Sequence, residues 1–229
     1  MKKCIHYISC DTIKYCKEAE ASAISFRNSS TNVHIKLYTD CAFKSSVFDE
    51  IVKVENYIPN GKTSKDWTEG KLYFQEKIRL LSESSFEKNL YLDGDTKSLV
   101  NVDPIFDMLN KFSFVLAHDS CRTNKWSDQL GIPICYPEFN LGLFFYDRDT
   151  TKEFFNEWAK NFELYPQPHD QASFRLTMWN CNLRYATLPP EYNHRPKVFH
   201  HNQQTAILHG RGDGFLPEIK QYENNIFLI

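Results

Sequence analysis

Short apolar runs recur along the chain, and most are followed by a polar turn and then by residues at helical spacing. Residues 5–9 read as a first strand. Asp11 or Thr12 then caps a helix over residues 13–27, where Cys16, Ala19, Ala23 and Phe26 form one inward stripe. Residues 34–39, ending at Asp40, and 51–58 follow as strands. After a polar loop the spacing predicts a helix over 71–84, with Phe74, Ile78 and Leu81 on one face. A fourth strand, 89–92, runs straight into Asp93, Gly94 and Asp95. Asp103 and Pro104 read as the N-cap and first residue of a short helix reaching residue 110. Strands 112–117 and 139–146, helices 151–162 and 169–179, and late strands 183–188 and 206–208 complete the pattern. Strands alternating with helices through the first ~120 residues predict an α/β sandwich around a largely parallel sheet.

Composition narrows the class. Hydrophobic residues make up 41% of the 229 positions and aromatics 15%, too apolar for a disordered chain. Typical domains of ~150 residues leave room for one domain or a fused pair. No linker or repeat divides the sequence, so a single domain over residues 1–229 is expected. Lys and Arg number 27 against 29 Asp and Glu, a formal net charge of −2, so no basic field exists to hold nucleic acid. No apolar run approaches the ~18 residues of a membrane helix. Lys2 and Lys3 precede no apolar signal core, and a cytoplasmic location is expected. The seven cysteines contain no C-x-x-C pair, so reduced, mostly buried thiols are expected.

Two nucleotide signatures are missing. The first glycine is Gly61, which excludes a Gly-rich dinucleotide turn after the first strand, and residues 56–63 do not complete a phosphate loop. The chemistry lies in Asp93-Gly94-Asp95. With 14 aspartates, a D-x-D triplet arises by chance about once in such a chain, and Asp147-Arg148-Asp149 is a second example. Context separates the two. Asp93 and Asp95 end a buried strand, where open α/β sheets bind ligands, whereas Asp147 and Asp149 precede a helix they suit as caps. Two carboxylates on one turn, with Gly94 leaving room between them, can hold one hard divalent ion beside phosphate oxygens; a solvated Asp-Gly turn is the plainer alternative. Phosphatases of the haloacid-dehalogenase type also pair aspartates after a strand, but after the first one and with Thr or Val where Lys97 stands here.

Residues 85–99 resemble the D-x-D region of GT-A glycosyltransferases, particularly family 8, which have a nucleotide-diphospho-sugar transferase fold. Further elements are similar in the same order. They are the first strand with Ser9, Asp11 and Tyr15; Lys77, where the family usually carries an Arg near the donor; Asn140-Leu141-Gly142; Asp170-Gln171; residues 188–193; and Leu208-His209-Gly210. The family's Lys-Pro-Trp after the histidine is absent, and Arg211 stands nearby. The resemblance implies an α/β GT-A sandwich with a mixed, mostly parallel central sheet flanked by helices.

It further implies a metal-dependent glycosyltransferase moving a sugar from a nucleoside-diphosphate-sugar donor, a UDP-sugar foremost, to a glycan, glycolipid or protein acceptor. Mn²⁺ or Mg²⁺ would be held by Asp93, Asp95 and His209. Ser9, Asp11, Tyr15, Asp40, Lys77, Gly94 and Arg211 would contact the donor with Asp93, and Asp119, Asn140, Asp170 and Gln171 would surround the reacting sugar. A retaining reaction, as in family 8, needs no dedicated base; an inverting one would need Asp170 or Asp119. The residues taken singly suit other roles: Asn140 a strand bulge, Asp170 a helix cap, Lys77 a solvated charge. A catalytically silent nucleotide-sugar binder and a metal-dependent phosphohydrolase of nucleotide sugars are the alternatives.

Overall fold

The computed structural model describes residues 2–30, 32–54, 67–119, 130–165, 169–195 and 207–210. In chain order its elements are β1 (Lys3–Ile8), α1 (Ile13–Ser29), β2 (His34–Thr39), β3 (Glu50–Lys53), α2 (Trp67–Ser82), β4 (Lys88–Leu92) and β5 (Thr96–Ser98). There follow α3 (Asp103–Met108), β6 (Phe114–His118), β7 (Phe139–Asp147), α4 (Arg148–Leu164), α5 (Gln171–Asn180), β8 (Tyr185–Leu188), a 3-10 turn (Pro190–Asn193) and β9 (Ile207–His209).

Local chemistry explains the boundaries. Thr12, not Asp11, caps α1 by accepting from the Lys14 amide, while Asp11 takes a left-handed φ of 80° that turns the chain out of β1. Asp147 caps α4 by accepting from the Thr150 amide at 2.9 Å, the role its context predicts. Val102 rather than Asp103 occupies the N-cap of α3, which moves Asp103 and Pro104 one position into the helix. The three-residue β5 is absent from the sequence reading, because its strand character comes from antiparallel pairing with β9, about 110 residues later. The end of the expected third strand, residues 55–58, lies outside the described residues.

Seven strands form one sheet in the order β3-β2-β1-β4-β7-β6-β8, all parallel to β1 except β7. The mixed, mostly parallel sheet predicted is present. Both faces are covered, so its strands read as near-continuous apolar runs. On one face Leu90, Leu92, Val115, Leu143 and Phe145 pack against Ala19, Ala23 and Phe26 of α1 and Ile105 and Phe106 of α3. On the other, Tyr91, Phe114, Leu116, Phe144 and Tyr146 meet Ile78 and Leu81 of α2, Phe154, Phe155 and Trp158 of α4, and Phe174 of α5.

Topology gathers the polar residues. Strand order reverses between β1 and β4, so their connections diverge to opposite sides and open a crevice at the carboxyl edge of the sheet. Asp11, Asp40, Asp93 and Asp119 each follow a strand that ends there. Asn140 is the second residue of β7, which runs the other way and starts at that same edge.

Phe174 anchors α5 to this sheet, its ring meeting those of Phe114, Phe139, Phe144, Phe154 and Trp158. Phe174→Ala is expected to lower unfolding stability in urea by about 3–5 kcal/mol, and Phe174→Leu by less. A loss below ~1 kcal/mol for the alanine would contradict this packing.

Candidate active site

The turn after β4 is fastened from behind. Thr96 Oγ1 donates to the Asp93 carbonyl at 3.0 Å and shares a 2.7 Å hydrogen bond with Ser22 Oγ of α1, which in turn meets Tyr7 Oη at 2.9 Å. Gly94 lets α1 come close: a Cβ there would lie 3.2 Å from the Ala19 nitrogen. The glycine expected to give the carboxylates room thus admits a helix backbone.

β9 delivers the histidine. Its pairing with β5 puts His209 opposite Thr96, the Gly210 amide donates to the Asp95 carbonyl at 3.0 Å, and the His209 amide donates to the His194 carbonyl at 2.9 Å. Asp93 and Asp95 on one turn, and His209 more than a hundred residues later, offer ligand atoms all within 4.8 Å of one another. His209 Nε2 lies 3.5 Å from Asp93 Oδ2 and 3.4 Å from Asp95 Oδ1. The Asp93 side chain is 39% exposed, against 15% for Asp95 and 7% for His209, so a ligand reaches the cluster from the Asp93 side.

Three features around the cluster suit a cation. Asn193 Oδ1 lies 2.9 Å from His209 Nδ1; with the proton held there, Nε2 keeps a lone pair for a metal. The Tyr91 hydroxyl, kept protonated by burial and by the adjacent Asp93 carboxylate, donates to Asp93 Oδ1 at 2.9 Å. Gly142 supplies the cradle: a Cβ at this position would run into His209 Cε1 and lie 2.6 Å from Asp93 Oδ2. Two carboxylates and one imidazole are a donor set for a hard or borderline divalent ion such as Mn²⁺ or Mg²⁺. Burial alone would lower the His209 pKa, but hydrogen bonding to Asp93 and Asp95 outweighs it and raises the imidazole to about 9. Burial works the other way on Asp93, where His209, Lys77 and Tyr91 prevail and lower it to about 2.

Beside this cluster lies a second one. Gln171 Nε2, at the start of α5, donates at 2.9 Å to Asp119 Oδ2 and at 2.9 Å to Glu138 Oε1. Asn140 Nδ2 donates to Asp119 Oδ2 at 3.3 Å, and Asn140 Oδ1 accepts from the Gly142 amide at 3.2 Å. Asp170 occupies the N-cap position of α5 but makes no capping bond. Its buried carboxylate lies 2.9 Å from Lys77 Nζ, and burial raises its pKa against the pull of that ammonium. Lys77 is neither solvated nor turned outward: it is buried, donates to the Leu141 carbonyl at 2.9 Å, and sits 4.1 Å from the centre of the Tyr91 ring.

The remaining expected contacts cluster at the ends of β1 and β2. The Asp11 amide donates to Asp40 Oδ1 at 2.9 Å, Ser9 is buried, and Tyr15 lies in the first turn of α1. Arg211 lies outside the described residues. Glu138, Tyr91 and Asn193 were assigned no role from sequence. Asn193 and Tyr91 fall inside the segments 188–193 and 85–99 that carry the resemblance, whereas no local pattern marks Glu138.

No family model matches the chain, and no curated protein matches it. Solved structures do. The galactosyltransferase LgtC, in complex with donor and acceptor sugar analogs, matches over 99% of this chain and 97% of its own at TM-score 0.66 and 13% identity. Mouse xyloside xylosyltransferase 1, in its apo form, matches over 92% and 98% at TM-score 0.64 and 11% identity. The apo glycosyltransferase GlyE of Streptococcus pneumoniae TIGR4 matches over 93% of this chain and 55% of its own at TM-score 0.60 and 13% identity. The fold is therefore that of the GT-A glycosyltransferases, as the sequence resemblance implies.

Gly142→Ala is expected to abolish Mn²⁺ binding in calorimetry while the far-UV spectrum stays unchanged; wild-type affinity in that variant would remove the cluster as a metal site. The charge pair also predicts a pH dependence without metal. His209 is raised from 6.5 to about 9, so its stabilisation is complete below pH 6.5 and lost as pH rises through 9. Asp93 is lowered from 3.8 to about 2, so its contribution is present above pH 3.8 and lost as pH falls through 2. In chelator the Tm is expected to fall between pH 6.5 and 9.5 more steeply for wild type than for His209→Gln; parallel curves would contradict the pairing.

Proposed function

We propose that this protein is a metal-dependent glycosyltransferase in which the chain forms one catalytic domain. It moves a sugar from a nucleoside-diphosphate-sugar donor, a UDP-sugar foremost, to a hydroxyl of a glycan, glycolipid or protein acceptor. The observation that carries this reading is the adjacency of two unlike sites at one crevice, a carboxylate-imidazole cluster and a carboxylate-amide cluster. The first suits a diphosphate bridged by a cation, the second a ring of hydroxyls. That LgtC was solved with donor and acceptor sugar analogs supports the same division.

Asp93, Asp95 and His209 would hold Mn²⁺ or Mg²⁺, with Asn193 and Tyr91 orienting two of the three ligands. The ion's chemistry there is to neutralise the negative charge that grows on the diphosphate as the sugar departs. Ser9, Asp11, Tyr15 and Asp40 flank the nucleotide side of the crevice. Asp119, Asn140, Asp170 and Gln171 hold sugar hydroxyls. Asp170 is ion-paired with Lys77 and Asp119 accepts two amide N–H bonds. Carboxylates so engaged suit holding and orienting hydroxyls better than abstracting a proton. Among the described residues no helix is long and apolar enough to cross a membrane.

A panel of nucleoside-diphosphate sugars with Mn²⁺, followed by nucleotide release with and without candidate acceptors, tests the reading. Acceptor-stimulated release of the diphosphate is expected. Acceptor-independent release of monophosphate would instead mark a phosphohydrolase, and thermal stabilisation without turnover a silent binder. Asp95→Ala is expected to weaken Mn²⁺-dependent donor binding by about 100-fold, the scale of losing one metal ligand. Full retention would sever the metal from donor binding.

A further inference from the structure

Glu138 is a buried carboxylate with no part in the sequence-derived site, yet it bonds to a residue at the centre of that site. Its position is enforced. One helical turn past Gln171, the buried Arg175 guanidinium donates to the Tyr136 carbonyl at 2.9 and 3.2 Å and to the Pro133 carbonyl at 2.9 Å. The segment before β7 is thereby tied to α5, and Glu138 is brought onto Gln171.

A primary amide has two N–H donors and one carbonyl acceptor. Both donors of Gln171 Nε2 are directed at carboxylates, Asp119 Oδ2 and Glu138 Oε1, each at 2.9 Å. The reverse orientation would set the amide oxygen between two anions. The polarity is therefore locked, and Oε1 is the polar atom of Gln171 left to meet a ligand. Among the described residues, Asp119, Glu138 and Asp170 line this cluster, with Lys77 paired with Asp170 and Arg195 3.6 Å from Asp119.

We propose that Glu138 is a positioning and specificity residue which, with Asp119, locks the Gln171 amide so that the subsite presents acceptor oxygens and selects a neutral, hydroxyl-rich sugar over a uronic acid. Hydroxyls donate to these oxygens, whereas a sugar carboxylate meets like charge. This inference rests on the glycosyltransferase reading for its substrate and on geometry alone for the lock, so the two can fail separately.

Two variants separate the acceptor atom from the charge. Glu138→Leu removes both and is expected to release one Gln171 N–H, seen as loss of its shifted, slowly exchanging side-chain amide signal in ¹⁵N NMR. Its kcat should fall about 10- to 100-fold, the scale of one lost charge-assisted hydrogen bond, with affinity for free UDP within about twofold. Glu138→Gln keeps an acceptor oxygen: the Gln171 signal should persist and kcat stay within about threefold, while the preference for UDP-glucose over UDP-glucuronic acid narrows about tenfold. An unchanged Gln171 signal and kcat in Glu138→Leu would overturn the lock. Wild-type selectivity in Glu138→Gln would overturn the specificity role, and that variant also decides the question if the leucine does not fold. A wild-type protein that turns over no nucleotide sugar would overturn the parent reading and leave the NMR result to judge the lock.

Discussion

One ammonium group sits where four elements meet. Lys77 reaches out of α2, lies against the Tyr91 ring of β4, donates to the Leu141 carbonyl of β7 and pairs with Asp170 at the head of α5. Burying a charge this deeply costs several kcal/mol unless its partners are well placed, and deleting one partner leaves the other stranded at a cost of about 3–5 kcal/mol. The pair is thus a strict constraint on where α5 begins relative to the sheet. Asp170 and Gln171 inherit their positions from it, and the Tyr91 ring beneath the ammonium carries the hydroxyl that orients Asp93.

The two halves of the site are therefore built on shared supports. β7 shows this most directly. Asn140 bonds to Asp119, Leu141 holds Lys77, and Gly142 leaves the space that His209 and Asp93 fill. Three consecutive residues serve the carboxylate-amide cluster, the buried ammonium and the carboxylate-imidazole cluster. β7 can do so because it is the one strand that starts at the carboxyl edge of its neighbours, where the parallel strands end.

Much of the fold was legible from sequence. β1, β2, β4 and β7 came close to their true bounds because strands buried on both faces carry continuous apolar runs, and α1 because its inward stripe repeats at helical spacing. β5 escapes the sequence reading because three residues carry no period and gain strand character only by pairing, whereas the strand expected at 206–208 lies within one residue of β9. In the site, Asp93 and Asp95 stood out by following a buried strand. His209 and Gln171 were named through ordered short matches, and no local rule would have chosen them. Glu138 lacked any mark, since a glutamate before a strand is ordinary in sequence, and Tyr91, although inside the D-x-D segment, carried no sign of its bond to Asp93.

The sequence by itself determined the alternation of elements, the apolar faces, the placement of Asp93 and Asp95 at a strand end, and the lack of a basic field or long apolar span. Those properties depend on near neighbours and on sums over the chain. Tertiary structure alone decided that Lys77 is buried, that Gly94 admits a helix, that Gly142 leaves room for His209 and Asp93, and which way the Gln171 amide points. Each depends on atoms brought together from distant parts of the chain, and the energy of a charge or an amide is set by what surrounds it rather than by what precedes it.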